Sequence, residues 1–160
     1  MLLYSDATGY GKLAWVAEIG DERIYARSSV PRWLKRWVRP RQVQVATWEL
    51  VAALCALWQL LSKLRSSGPQ WEIQLFIDSS VALGTLLRGS SSQHDWNSLV
   101  MEIWFQISTL GVILGAWRVP SKQNLADSPT RIGQKDSELQ KLINAGFHEV
   151  KWQWPQVWLK

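Results

Sequence analysis

Acidic side chains set inside apolar sequence constrain this chain more than any other feature. Glu49 interrupts VATWELVAALCAL, Asp78 closes the run IQLFID, Asp6 lies in LLYSDATG, and Asp127 follows in VPSKQNLADSPTR. Taking an unpaired carboxylate out of water costs several kcal/mol or forces it to protonate. A fold that buries these segments must therefore bring the acids to a shared compensating charge. His94, His148 and Cys55 are the only histidines and cysteine, so neither an internal disulfide nor a thiolate zinc site can be built. Carboxylates alone suit a hard, oxygen-seeking cation such as Mg²⁺.

With 160 residues and 47% hydrophobic content, the chain has the length and apolar mass of one domain with one core. Residues 1–160 are expected to form a single unit, with a core over about 2–133 and a C-terminal helix and tryptophan-rich tail over 134–160. The longest apolar stretch, Val43 to Leu61, contains Glu49 and Gln59 and is followed by Lys63 and Arg65. It is short and charged for a membrane span but fits a buried helix. The start, MLLYSDATGYG, has no basic region followed by an apolar one. These features point to an intracellular setting, in cytoplasm, nucleus or a particle, without membrane attachment. The net charge is +5, and Arg32 to Arg41 (RWLKRWVRPR) carries five positive residues and no acid. A concentrated basic patch points to a polyanion.

Alternation predicts short strands over Leu2–Thr8, Leu13–Ile19 and Arg23–Arg27, with turns at Gly9-Tyr10-Gly11 and Gly20-Asp21. Pro31 and Pro40 bracket the basic insertion, which has room for one or two helical turns that place Trp33 and Trp37 at i, i+4. Ala46 to Leu64 reads as a helix buried nearly all round, and Ser66-Ser67-Gly68-Pro69 breaks the chain. Glu72 to Asp78 alternates as a strand, with Ser79 or Ser80 capping a helix through Leu87. Asp78 thus stands at the carboxyl end of a strand, where open α/β sheets place their ligands. Trp96 to Leu110 is helical and closes at Gly111, Val112 to Val119 is a strand, and a short segment begins near Asp127-Ser128-Pro129. The last helix is expected over Asp136 to Ala145.

These words and their order resemble the ribonuclease H domain of reverse-transcribing elements. YSDATGYG is similar to the first-strand motif, TWELVAALCAL to the helix motif, FIDSSVAL to the second aspartate strand, and WRVPSKQNLADSPTR to the closing motif. The style is that of retrotransposon and pararetroviral members, closest to tyrosine-recombinase (DIRS-like) elements. The resemblance implies an α/β ribonuclease H-like fold with a mixed five-stranded sheet, three antiparallel strands then two parallel, flanked by helices. It implies catalytic and metal-ligating roles for Asp6, Glu49, Asp78 and Asp127. Asp6 would bridge two Mg²⁺ ions (Mn²⁺ substituting), Asp127 would complete the nucleophile-side site, and Glu49 and Asp78 would hold the ion on the leaving-group side. The implied reaction is hydrolysis of the RNA strand of an RNA/DNA hybrid to 5′-phosphate and 3′-hydroxyl ends. A polymerase domain of the same polyprotein is an implied partner.

Two departures matter. Many members carry a histidine in the loop before the last aspartate, where this chain has Ser121, Lys122, Gln123 and Asn124; lysine does not cycle a proton near neutral pH as histidine does, so slower turnover is expected. The short interval from Asp78 to Asp127 leaves no room for the additional basic helix and loop of cellular enzymes. Grip on the hybrid is therefore assigned to Arg32, Trp33, Lys35, Arg36, Trp37, Arg39 and Arg41, helped by Lys122 and Asn124. For Trp33 and Trp37 a second reading, an apolar cover over the sheet edge, stands equally. Trp15, Trp48, Trp58, Trp104 and Trp117 read as packing, while Trp152, Trp154 and Trp158 either dock the tail or meet another domain. Two other functions compete: a catalytically silent module of the same fold that binds nucleic acid or protein, and a DNA nuclease of the same superfamily.

Overall fold

The computed structural model describes residues 1–42, 44–65, 71–131, 137–155 and 158, without the side chains of 62, 63 and 65. The expected break at 66–69, the side chains of Lys63 and Arg65 and the expected helix start at Asp136 lie outside the described residues.

The first three strands, β1 (Leu2–Ala7), β2 (Lys12–Ile19) and β3 (Glu22–Ser29), form an antiparallel meander. The turns between them require left-handed backbone at Gly11 (φ 81°) and Gly20 (φ 59°), a conformation that costs glycine nothing. A short helix α1 (Arg32–Trp37) follows, with Pro31 at its N-cap. The long helix α2 (Val45–Arg65) leads to β4 (Glu72–Ile77), α3 (Ser80–Arg88), α4 (His94–Leu110) and β5 (Ile113–Arg118). A single 3-10 turn at Ser121–Gln123, the four-residue α5 (Asp127–Thr130), α6 (Ser137–Asn144) and a two-residue strand β6 (His148–Glu149) complete the order.

The sheet runs β5-β4-β1-β2-β3-β6. It has six strands where five were expected. β6 pairs parallel with β3 through Ile24 and Tyr25, and two residues are too few to show alternation in sequence. Parallel pairing of β1 with β4 places Asp6 and Asp78 at the same end of adjacent strands. One sheet face packs Leu3, Trp15, Leu75 and Ile77 against α2 and α4, while the other packs Ala14, Val16 and Tyr25 against Ala126, Leu142 and Phe147. Every residue of α2 from Ala46 to Leu57 is buried, as an apolar run around Glu49 demands. Removing that much apolar surface from water, at about 25 cal/mol per Å², is the main term holding the layers together. Cys55 is fully buried, and burial pushes its thiol pKa well up. Among the described residues no helix is long and apolar enough to cross a membrane.

The tryptophans divide differently from expectation at one position. Trp15 and Trp48 are buried and Trp58 and Trp104 partly so, but Trp117 is 55% exposed. It lies on the edge strand β5, where one flank has no neighbouring strand. At the other end of the chain, Trp152 is buried, and Trp154 and Trp158 meet Trp33 edge-on at 6.0 and 6.4 Å. The tail therefore docks on α1, and the ring contacts of Trp33 are with the tail.

Candidate metal centre

Three of the four acids converge. Carboxylate oxygens of Asp6, Glu49 and Asp78 lie within 4.8 Å of one another. Each is delivered by a different element: Asp6 by the penultimate position of the central strand β1, Glu49 by the buried N-terminal part of α2, and Asp78 by the residue following β4. Asp6 and Glu49 are buried, and Asp78 is partly open.

The surroundings supply few charges to balance them. One oxygen of Glu49 accepts the Ser79 backbone N–H at 3.1 Å, and the other is buried with no donor to accept from, facing the Asp78 carboxylate. Burial, then the charge of Asp78 and a hydrogen bond shared with it, and last the charge of Asp6 push the Glu49 pKa up to about 10 against the Ser79 N–H. Burial, followed by the charges of Asp78 and Asp127, raises Asp6 to about 7, although the Ala7 N–H and the Thr130 hydroxyl favour its ionised form. Among the described residues no lysine, arginine or histidine pairs with either acid. Arg118, a candidate counter-charge for Glu49, instead reaches the Asp78 carbonyl at 3.4 Å. Clustered, desolvated carboxylates with an orphaned inward oxygen have the chemistry of a divalent-cation site.

Asp127 stands apart from this trio. It opens α5 close enough for its charge to act on Asp6, but its carboxylate is paired with Arg131 at 2.7 Å, one turn along. Pro129 occupies the third position of α5, within the first turn, where a missing N–H removes no helical bond.

Hydroxyls that sequence reasoning passed over hold the acids in place. Ser121 donates to Asp78 at 2.8 Å, and the Thr130 hydroxyl is shared between the Asp127 carbonyl at 2.6 Å and Asp6 at 3.3 Å. Ser79, one of the two residues expected to cap the helix, does cap α3 by accepting the Ala82 N–H, and its own N–H serves Glu49. Their nearness in sequence to Asp78 and Asp127 was the available signal.

The residues assigned to nucleic-acid contact fall into two groups. Arg32, Lys35, Arg36 and Arg39 are exposed, as are Trp33 (38%) and Trp37 (47%), and Lys122 stands exposed on the 3-10 turn. Arg41 and Asn124 are engaged inside the protein. Arg41 makes a two-pronged pair with Asp95 at 2.8 and 2.5 Å. Asn124 is buried; its amide donates to the Ser5 carbonyl at 3.0 Å and its oxygen accepts the Ala126 N–H at 3.1 Å. It clamps the loop before Asp127 to the strand residue before Asp6, which is a structural task.

No protein-family model and no curated protein sequence matches the chain. Among solved structures it is similar to ribonuclease H1 from the halophilic archaeon Halobacterium salinarum NRC-1, with a TM-score of 0.56 and 16% identity over 79% of this chain and 89% of that one. That likeness, over a mixed sheet of antiparallel then parallel strands flanked by helices, establishes the fold as that of ribonuclease H.

Proposed function

We propose that the chain is a divalent-metal-dependent endonuclease that hydrolyses the RNA strand of RNA/DNA hybrids, and that residues 1–160 work as one ribonuclease H-like domain of a retroelement reverse transcriptase. The observation that carries this reading is the convergence of Asp6, Glu49 and Asp78 from three elements, with a buried Glu49 oxygen that meets another carboxylate and no donor. The donor set is all carboxylate, which suits Mg²⁺ or Mn²⁺. Asp6, Glu49 and Asp78 would hold the first ion, and Asp6 with Asp127 the second. Two such ions supply an activated water and neutralise charge on the leaving oxygen.

The remaining work falls to the protein's own groups. Ser121 and Thr130 orient the carboxylates, and burial of Asp6 and Glu49 leaves little water to compete for them. Lys122, beside Asp127 in the same groove, and the exposed cations of α1 give contacts to phosphates. Phosphate contacts position a duplex without reading bases, so little sequence preference follows.

A silent binding module of this fold is the rival that a specific observation favours, since Asp127 is paired with Arg131 and the preceding loop has no histidine. The test is incubation of the protein with labelled RNA/DNA hybrid, duplex DNA and duplex RNA in Mg²⁺, Mn²⁺ or chelator, with Asp78→Asn as control. Cleavage of the hybrid alone, lost in the variant and in chelator, supports the proposal. Binding without cleavage in both metals supports the silent module, and cleavage of duplex DNA supports a DNA nuclease.

A further inference from the structure

Arg41, Asp95 and Trp96 form a polar network outside the acid cluster, and its connections run toward the cluster and toward the basic helix at once. Asp95, in the first turn of α4, is buried. Its carboxylate takes the two-pronged pair from Arg41 and accepts the backbone N–H groups of Arg39 and of Trp96, each at 3.0 Å. The Arg41 guanidinium also lies over the Trp96 ring, 5.0 Å from its centroid. The Trp96 indole N–H donates to the Thr47 hydroxyl at 2.7 Å. Thr47 donates to the Gln44 side chain at 3.1 Å, and Gln44 donates to the Arg39 carbonyl at 2.9 Å, as Arg41 does at 3.1 Å. The bonds close a ring through Arg39, Asp95, Trp96, Thr47 and Gln44.

Two members of this ring are informative. Arg39, both of whose backbone polar groups are held, is the last of the exposed cations of the basic segment. Thr47, fully buried, lies two residues before Glu49 on α2. A buried ion pair is a poor way to stabilise a core, because desolvation offsets most of its attraction; fixing one geometry among several is the better-attested use. Both terminal nitrogens of Arg41 are spent on Asp95, while Arg32, Lys35, Arg36 and Arg39 have no ion-pair partner among the described residues. The net effect of burial against these donors lowers the Asp95 pKa, so the carboxylate is charged at neutral pH.

We propose that Asp95 is a positioning residue: through Arg41, Trp96 and Thr47 it fixes the free cations of the basic segment at a set distance from Glu49, so that the polyanion gripped by Arg32–Arg39 enters the acid cluster in one register. This rests on the nuclease reading for its substrate, an RNA/DNA hybrid, but the positioning itself is read from binding. Asp95→Asn keeps the shape and removes the charge, releasing Arg41 and the Arg39 N–H. Arg41→Lys keeps the charge but can make neither the two-pronged pair nor the flat stack.

The test measures hybrid binding by fluorescence anisotropy in chelator across a salt series, then single-turnover cleavage of end-labelled hybrid in Mg²⁺. The expected result for Asp95→Asn is affinity weaker by about fivefold or more, even though the substitution frees the Arg41 guanidinium and adds one net positive charge. Tighter binding with a steeper salt slope would overturn the inference. The cleavage rate at saturating protein stays within about threefold of wild type while the cut sites spread over neighbouring positions. Arg41→Lys shifts binding in the same direction, and it decides the matter should Asp95→Asn not fold. Unchanged affinity and slope in folded variants, with only a lower melting temperature, would overturn the inference by showing a merely structural network. Wild-type protein that binds hybrid without cutting it refutes the nuclease reading and leaves the binding arm to judge the positioning; wild-type protein that binds no hybrid overturns both.

Discussion

Replacing Glu49 by glutamine should stabilise the metal-free protein. At about pH 8 the folded chain, with Glu49 raised to about 10, holds a proton there that the unfolded chain, near its ordinary 4.5, has released. The cost is about 1.36 kcal/mol per pH unit between the unfolded value and the working pH, which comes to roughly 5 kcal/mol. The sign follows from linkage: the folded state binds more protons, so metal-free stability falls as pH rises from about 4.5 toward 10. Glutamine matches the shape of the protonated acid and carries no such penalty. Its oxygen keeps the Ser79 N–H and its amide faces Asp78, but the second amide hydrogen lacks an acceptor, which costs about 1–3 kcal/mol. A net gain of roughly 2–4 kcal/mol remains, or about 4–16 °C in melting temperature for a chain of this size. Thermal melts in EDTA at several pH values measure it directly, and a second series in Mg²⁺ should show wild type gaining stability and the variant gaining little. A variant that melts at or below wild type in EDTA at pH 8 would refute the argument that Glu49 is a destabilising, metal-awaiting carboxylate.

Other outcomes follow from the same geometry. Divalent-ion affinity should rise with pH through about 7 as Asp6 loses its proton and go on rising toward 10 as Glu49 does, and calorimetry in buffers of different ionisation enthalpy should record proton release on binding; uptake or pH-independent binding would contradict this. Asn124→Ala removes two buried hydrogen bonds and should cost about 2–4 kcal/mol in urea unfolding, with divalent affinity falling because the Asp127 loop loses its clamp to β1. Lys122→His should raise the multiple-turnover rate on hybrid while leaving the single-turnover rate near wild type; equal multiple-turnover rates would show that product release is not limited by the missing imidazole.

Legibility in the sequence tracked the range of the interactions. The strand alternation around Asp6 and Asp78, the apolar run carrying Glu49 and the glycine-bounded turns are local patterns, and the structure places all of them where period and turn chemistry predicted. The ribonuclease H fold followed from their order. What escaped is non-local or marginal. β6 is two residues long and exists only because the tail returns to β3. Trp117 sits in an apolar strand whose edge position depends on the whole sheet order. Arg41 sits among four other cations, and nothing in RWLKRWVRPR singles it out for a carboxylate 54 residues away. Asn124 is one polar residue in a polar loop until the Ser5 carbonyl is brought beneath it. Convergence of Asp6, Glu49 and Asp78 is legible because buried acids need an excuse, and the Asp127–Arg131 pair is legible in its spacing of one helical turn.

The most direct test of the shared-cation pocket is anomalous scattering from crystals soaked in Mn²⁺. The account expects a manganese peak bound at once by carboxylate oxygens of Asp6, Glu49 and Asp78, absent from crystals of Asp78→Asn. Peaks confined to surface acids, with the three carboxylates turned away from one another, would contradict it.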